Sequence, residues 1–321
     1  MPIKHTHIGG QAVLEGIMMR GKHNWAVAVR KADGSIHLEA HDLKTAISKR
    51  PWLGKPVIRG VVGLYETLVL AMKAFSISAE HAGETEEEKL SSKEIALSMT
   101  LGVGLAVFLF IILPAVATNL LVGEATERPF TWNIVDGVLR VVAFFLYIWA
   151  ISRMRDIQRV FAYHGAEHKT IHAYERGLPL EPRVIQENTT LHVRCGTSFL
   201  LMVMVIAILV FSLVPVRFFT DLMGTDHRFV VLSVAIGLRI VLLPLIAGLA
   251  YEVIKWAGKA PDNPVVRVVL WPGLQLQRMT TREPDESMVE IAVTAMKAVI
   301  EREEQEGAGT DLSADVAVVS G

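Results

Sequence analysis

Three histidines and two glutamates crowd residues 163–175, YHGAEHKTIHAYE. If this stretch is helical, each four-residue step from His164 to His168 to His172 turns only ~40°, which stacks the three imidazoles on one stripe together with Glu175. His164, Glu167 and His168 also spell His-x-x-Glu-His, the inverted zincin order, in which two histidines bind zinc and the glutamate serves as base. Glu167 lies only ~60° from His164 around such a helix, which suits a group that holds a metal-bound water. His192 and Cys195 follow as HVRC, just before an uncharged run. Imidazole and thiolate together favour zinc, with iron or manganese as alternatives, over magnesium or calcium. A solvated interfacial helix can also carry histidines beside glutamates, but the conjunction of His164, Glu167 and His168 with Cys195 favours a metal or catalytic site. A protease would need a peptide-binding strand, and the sequence shows none.

The elements that must position these residues are set by composition. At 321 residues, 51% hydrophobic and a mean hydropathy of +0.39, with the apolar residues clustered, the chain reads as a polytopic α-helical membrane protein. Two uncharged runs, within 95–123 and 196–216, are long enough to cross a hydrocarbon core of about 30 Å. Residues 133–152, which hold Asp136 and Arg140, and 229–251, which hold Arg239, make up about four transmembrane helices. Charges inside spans need partners, so Asp136 is expected to pair with Arg239 or with Arg140 one turn on. Residues 56–78 are interrupted by Arg59, Glu66 and Lys73 and read as an amphipathic helix at the interface.

The central loop, 153–195, carries Arg153, Arg155, Arg159, Lys169, Arg176, Arg183 and Arg194, against Arg128, Arg217 and Arg228 in the two short loops. That imbalance places the central loop and both termini in the cytoplasm of a multi-pass protein of the cell (inner) membrane. Trp132, Tyr147, Trp149 and Trp256 fall near span ends, as an aromatic belt would. The first residues lead into no apolar h-region, so no cleavable signal peptide is expected. The single cysteine excludes an intrachain disulfide and leaves Cys195 a cytoplasmic thiol able to ligate metal. A net charge of −1 and the lack of a basic stripe with interleaved aromatics give no reason to expect nucleic acid as a partner.

The soluble parts form a small α+β cytoplasmic portion. Residues 1–55 read as β-rich, with a β-hairpin formed by 25–31, the turn Asp33-Gly34 and 35–40. Ahead of it, GGQAVLEGIMMRG brackets Gln11, Glu15 and Arg20 with glycines; this is either an edge strand whose charges face water or an active-site loop. A charged linker ends the 56–94 segment, and 252–305 is a proline-bearing loop followed by an amphipathic helix with Val289, Ile291, Ala292, Ala295, Met296 and Val299 on its apolar face. Residues 306–321 read as a disordered tail. No inverted repeat suggests a secondary transporter.

Five blocks, GGQAVLEGIMMRG, PVIRGVVGL (56–64), YHGAEHKTIHAYE, HVRCGTSFL (192–200) and PGLQLQRMTTREPD (272–285), resemble the YqhQ-like family of bacterial membrane proteins, commonly labelled metal-dependent enzymes. The resemblance implies that the blocks meet in one cytoplasmic site. It covers Gln11, Glu15, Arg20, Arg59, His164, Glu167, His168, Lys169, Cys195 and Gly196. His172 is not among the positions it covers, and Val193 stands where a proline or polar residue is expected. The implied protein is a metalloenzyme with His164, His168 and Cys195 as ligands and His192 or water completing the shell, His172 being a lesser candidate. Glu167 or Glu15 would act as general base, with Gln11, Arg20, Arg59 and Lys169 on a small-molecule or lipid-linked substrate; hydrolysis is the default chemistry. The rivals are a non-catalytic scaffold or assembly factor with a structural metal held by His164, His168, His192 and Cys195, and, less supported, an ion or metal transporter.

Overall fold

A computed structural model describes residues 7–82, 92–193, 195–214, 216–224, 227–258 and 263–307. Most of the linker expected at 83–94 and of the tail expected at 306–321 lies outside them.

The N-terminal strands β1 (Gly9–Val13), β2 (Gly16–Arg20), β3 (Asn24–Arg30) and β4 (Ile36–Asp42) form one antiparallel sheet in sequence order. The expected hairpin is β3–β4, whose turn is closed by Gly34 at φ 81° and by the Ser35 amide donating to Asp33 Oδ1 at 2.9 Å. The glycine-rich stretch adds a second hairpin, β1–β2, turning at Glu15 with φ 49°. Every residue of β2 is buried, because both faces of the sheet are covered.

Strand alternation divides the sheet's apolar residues between two cores. Ile17, Met19, Ala26 and Ala28 pack with Tyr163, Ala166 and Ile171 of helix α6 (Arg155–Glu175) and with Val289, Ile291, Ala292 and Met296 of helix α12 (Glu286–Gly307). Val13, Met18, Trp25, Val27 and Val29 pack with Leu70 and Ala74 of helix α2 (Ile58–His81), which follows a single turn, α1 (Ala46–Lys49). Burying a side chain of the Val or Leu class contributes roughly 1.5–3 kcal/mol, so the two cores clamp the sheet between α2 and the α6–α12 pair.

The apolar helices follow. Helices α3 (Ser92–Val107) and α4 (Leu113–Val122) run on through a π-helical turn at Phe108–Ile112. Then come α5 (Pro129–Ile151), α6, the short α7 (Pro182–Gln186), α8 (Gly196–Leu213), α9 (Val216–Leu222), α10 (Arg228–Gly258), α11 (Pro264–Thr280) and α12.

Among the described residues, five helical stretches are long and apolar enough to cross a membrane: Ile58–His81, Ala96–Val122, Pro129–Ile151, Gly196–Leu213 and Arg228–Ala257. This corrects the expectation of four on length and composition, since α2 qualifies at a mean hydropathy of 1.4 despite Arg59, Glu66 and Lys73. Large apolar side chains such as Leu101, Leu120, Leu209 and Val241 stand exposed on these helices, as on a surface that faces lipid. Between α5 and α10, Asp136 Oδ2 accepts from Arg140 Nη2 at 2.8 Å and from Arg239 Nε at 3.4 Å, so it takes both expected partners at once.

Candidate metal centre

Helix α6 is rich in good helix formers and ends in a Schellman turn. Gly177 at φ 66° closes it, with Leu178 N donating to Ala173 O at 2.9 Å and Gly177 N to Tyr174 O at 3.0 Å. From Ala162 onward the helix is buried on nearly all sides, and among its buried residues are Glu167, His168, Lys169 and Glu175. Buried polar atoms require partners, so their bonding shows what each is for.

His164 Nδ1 donates to the Thr280 carbonyl at 2.9 Å and His168 Nδ1 donates to the Thr190 carbonyl at 2.5 Å. A carbonyl only accepts, so both Nδ1 atoms carry the hydrogen, and each ring when neutral presents a bare Nε2. The Cys195 sulfur lies 3.2 Å from His164 Nε2 and 3.2 Å from Thr197 Oγ1. One ligand atom from each of His164, His168 and Cys195 falls within 4.8 Å of the others. His168 Nε2 is buried and finds no hydrogen-bond partner. Two anchored imidazoles and a thiol, with a lone pair left orphaned at their centre, fit a zinc-class ion, and the carbonyl anchors are what ligating histidines need behind them.

Burial drives His168 down to about 4, with the neighbouring His164 adding to the effect, so its ring is neutral as a ligand must be. Burial alone would raise the Cys195 thiol, but His168 and the Thr197 contacts together outweigh it and hold the thiol below its ordinary value. Burial lifts Glu167 to about 8, and its Oε2 is also without a partner. Glu167 sits under β1, where a side chain on Gly10 would come within 2.9 Å of Glu167 Cγ. A Cβ on Gly165 would collide with the Arg282 carbonyl, so α6 can lie this close to the α11–α12 connection only with glycine there.

His164, Glu167 and Cys195 line one wall of a 440 Å³ cavity. Gln11 joins them from β1, while Leu64, Leu68, Phe161, Phe199 and Leu200 make the cavity mainly apolar. Arg20 and Arg59 line a neighbouring 240 Å³ pocket that shares Gly63 and Tyr251 with the cavity. Arg59 is held by both carboxylate oxygens of Glu252, at 2.8 and 2.5 Å. Arg20 reaches Thr67 Oγ1 at 3.2 Å and Glu66 at 3.7 Å.

The remaining sequence candidates are placed elsewhere. Glu15 is clasped by Arg159 at 2.6 and 2.5 Å and takes the Tyr163 hydroxyl at 3.2 Å. Lys169 is tied to the Gln186 carbonyl at 2.6 Å and to Glu283 at 2.7 Å. His172 donates from Nε2 to the Leu191 carbonyl at 2.8 Å, and it gathers with Glu175 and His192 in a group of its own. His192 Nε2 lies 3.5 Å from Glu175.

Sequence reasoning passed over Gln277. Its side chain grips the His192 backbone at both N and O, each at 2.8 Å, and so fixes the segment that presents the Thr190 carbonyl and Cys195. The signal was an uncharged amide amid the apolar residues of LQLQRM, buried on α11.

Helices long enough to cross a membrane, with a histidine–cysteine cluster at their edge, define the class. A family model described as "Protein of unknown function (DUF1385)" matches residues 55–302. The protein called "Uncharacterized protein YqhQ" from Bacillus subtilis (strain 168) is 32% identical over 312 residues, which cover 92% of each chain. The chain belongs to this YqhQ-like DUF1385 family. No solved structure matches it.

Proposed function

We propose that the protein is a metal-dependent enzyme of hydrolase type, working at the cytoplasmic face of the cell membrane on a substrate with an apolar portion. The observation that carries this reading is the meeting of one ligand atom each from His164, His168 and Cys195, with His164 and Cys195 lining a mainly apolar 440 Å³ cavity.

The shared core of the sheet, α6 and α12 supports the membrane topology, because elements packed together must lie on one side. Three candidate spans separate the sheet from α6, and an odd number of crossings would part them. Helix α2 is the one that does not cross. Its Leu70 and Ala74 pack on the sheet while Tyr65, Leu68 and Met72 are exposed, so it lies at the interface with its apolar side in lipid. The positive charge of the central loop sets the shared side, and both termini with it, in the cytoplasm.

A zinc-class ion, once bound, supplies Lewis-acid activation of water. The chain's own residues do the rest. Glu167, with a proton affinity near neutrality and an unpartnered Oε2, takes and holds the proton as general base. The cavity wall excludes water and seats the apolar part of the substrate. Arg20 and Arg59 present cationic edges in the adjoining pocket to an anionic end, and Gln11 offers its amide at the cavity. A structural-metal scaffold would need His192 to close a four-ligand shell, but its ring faces Glu175.

The test is metal content by mass spectrometry on detergent-purified protein carrying no polyhistidine tag, after a wash with a weak chelator. Wild type should retain near-stoichiometric zinc, iron or manganese, which His164→Ala, His168→Ala and Cys195→Ala each lose and His172→Ala keeps. A wild type that binds none even after reconstitution would end the reading.

A further inference from the structure

Strand β4 reads IHLEAHD, and a strand's two-residue period puts His37, Glu39 and His41 on one face. Their partners on β3 are Val29, Val27 and Trp25, which belong to the core under α2. At its edge, the sheet therefore turns two imidazoles and a carboxylate toward α2, where its other strands turn apolar groups. The last turn of α2 brings a third imidazole to meet them. His81 stacks on His37 with ring centroids 3.7 Å apart and 13° between planes.

His81 Nδ1 donates to the Ile77 carbonyl at 2.8 Å, which leaves Nε2 bare in the neutral ring. Glu39 reaches His37 Nε2 at 2.8 Å with one oxygen and His41 Nε2 at 3.0 Å with the other. One ligand atom each from His37, Glu39 and His81 lies within 4.8 Å of the others. Bonds of ~2.0 Å to a tetrahedral ion set neighbouring ligand atoms roughly 3.3 Å apart, so the group need only loosen slightly, with the stacked rings splaying, to admit one.

We propose that His37, Glu39 and His81, with water completing the shell, form a second site for a zinc-class divalent ion that pins β4 to the end of α2, while His41, stacked on Trp25, holds the second oxygen of Glu39. It lies on the opposite face of the sheet from α6 and shares no residue with the cavity site. His37 and Glu39 are 26% and 31% exposed, so this ion exchanges with solution, unlike one held at α6. The donors are nitrogen and oxygen only, which separates the two sites spectroscopically.

Cobalt(II) titration of the full-length, untagged protein in detergent tests the assignment. In the Cys195→Ala/His168→Ala background, a single cobalt equivalent should bind without a thiolate charge-transfer band. Adding His37→Ala or His81→Ala should weaken it by more than roughly 100-fold, beyond what an outer-shell partner is worth. His37→Gln and His81→Gln, checked for unchanged metal-free melting, guard against loss of fold. No binding in that background, or binding indifferent to His37 and His81, overturns the proposal. A missing thiolate band in wild type would instead indict the α6 site alone.

Discussion

Asp136, Arg140 and Arg239 within the apolar helices are a buried cluster, and His164, His168 and Cys195 beside them are buried except at His164, which is half-buried, but their atoms are committed differently. The first turns inward. Arg140 and Arg239 converge on Asp136 Oδ2, and Arg239 also donates to Asn133 Oδ1 at 3.0 Å and to the Ala235 carbonyl at 2.8 Å, with Trp132 and Phe211 stacked over its guanidinium. The second turns its N–H groups outward to backbone carbonyls, sets His164 Nε2 against the Cys195 sulfur and leaves His168 Nε2 without a partner. Both contain unpartnered atoms, Asp136 Oδ1 and Arg140 Nε in one, Glu167 Oε2 and His168 Nε2 in the other. Only the second borders the 440 Å³ cavity. A cluster whose donors and acceptors consume each other fixes helix register; one that reserves lone pairs beside open space is built for a guest.

The contrast breaks first at Asp136. Asp136→Ala strands two guanidiniums among apolar helices and should cost about 3–5 kcal/mol, read as a collapse in folded yield and melting temperature in detergent. His168→Ala should act mainly through the ion. In metal-free protein it removes an unpartnered Nε2 but also strands the Thr190 carbonyl, so it should cost about 1–3 kcal/mol, less than Asp136→Ala. Wild type should gain about 2.7 kcal/mol when zinc reaches one hundred times its Kd, and His168→Ala should gain nothing at the α6 site. If Asp136→Ala were mild and His168→Ala unfolded the metal-free protein, the two clusters would have to exchange roles.

How much of this was legible depended on how far apart in sequence the partners lie. His164, Glu167 and His168 share one helix, so spacing alone put them together, and Cys195 was visible as a lone thiol beside more histidine. The carbonyls of Thr190 and Thr280 that set the tautomers could not be read, because any residue has a carbonyl and only the fold decides which one faces a ring. The glycine-rich stretch was ambiguous between strand and loop for a related reason. Gly10 is required by Glu167 on a distant helix, which no local pattern encodes. The family resemblance, not its sequence neighbours, made Glu15 a candidate base, and no local pattern could show that the fold sets it against Arg159. Helix α2 carries a lipid-compatible composition, but its packing on the sheet arises from strands that β-propensity only outlines.

Acid and alkali sharpen the comparison further. In metal-free protein, burial lowers His168 and His192 to about 4, so the folded state binds fewer protons than the unfolded one. Their contribution is complete above the ordinary 6.5 and is lost as pH falls from there through about 4. Glu167, raised from 4.5 to about 8, has the opposite sign and costs stability as pH rises across that interval. Each group contributes a slope of at most about 1.4 kcal/mol per pH unit. In denaturant melts across pH, His192→Gln should flatten the acid limb and Glu167→Gln the alkaline one, while Arg140 and Arg239 variants should leave both slopes as they are.

The smallest effect is expected where the clasp is most exposed. Arg159 is 54% exposed as it grips Glu15, so water and salt compete for the pair and its worth is at most about 1 kcal/mol. Glu15→Gln keeps the shape of the β1–β2 turn and one acceptor for Arg159, so melting should fall by less than that amount. The zinc retained at α6 should not change, because the clasp is made at Arg159 and Tyr163, on residues whose partners are not the chelating atoms. A loss of zinc as large as that in His168→Ala would mean that the Glu15 carboxylate leaves Arg159 for the ion. The β1–β2 turn would then be part of the centre, and the cluster's free lone pairs would include an oxygen drawn from the sheet.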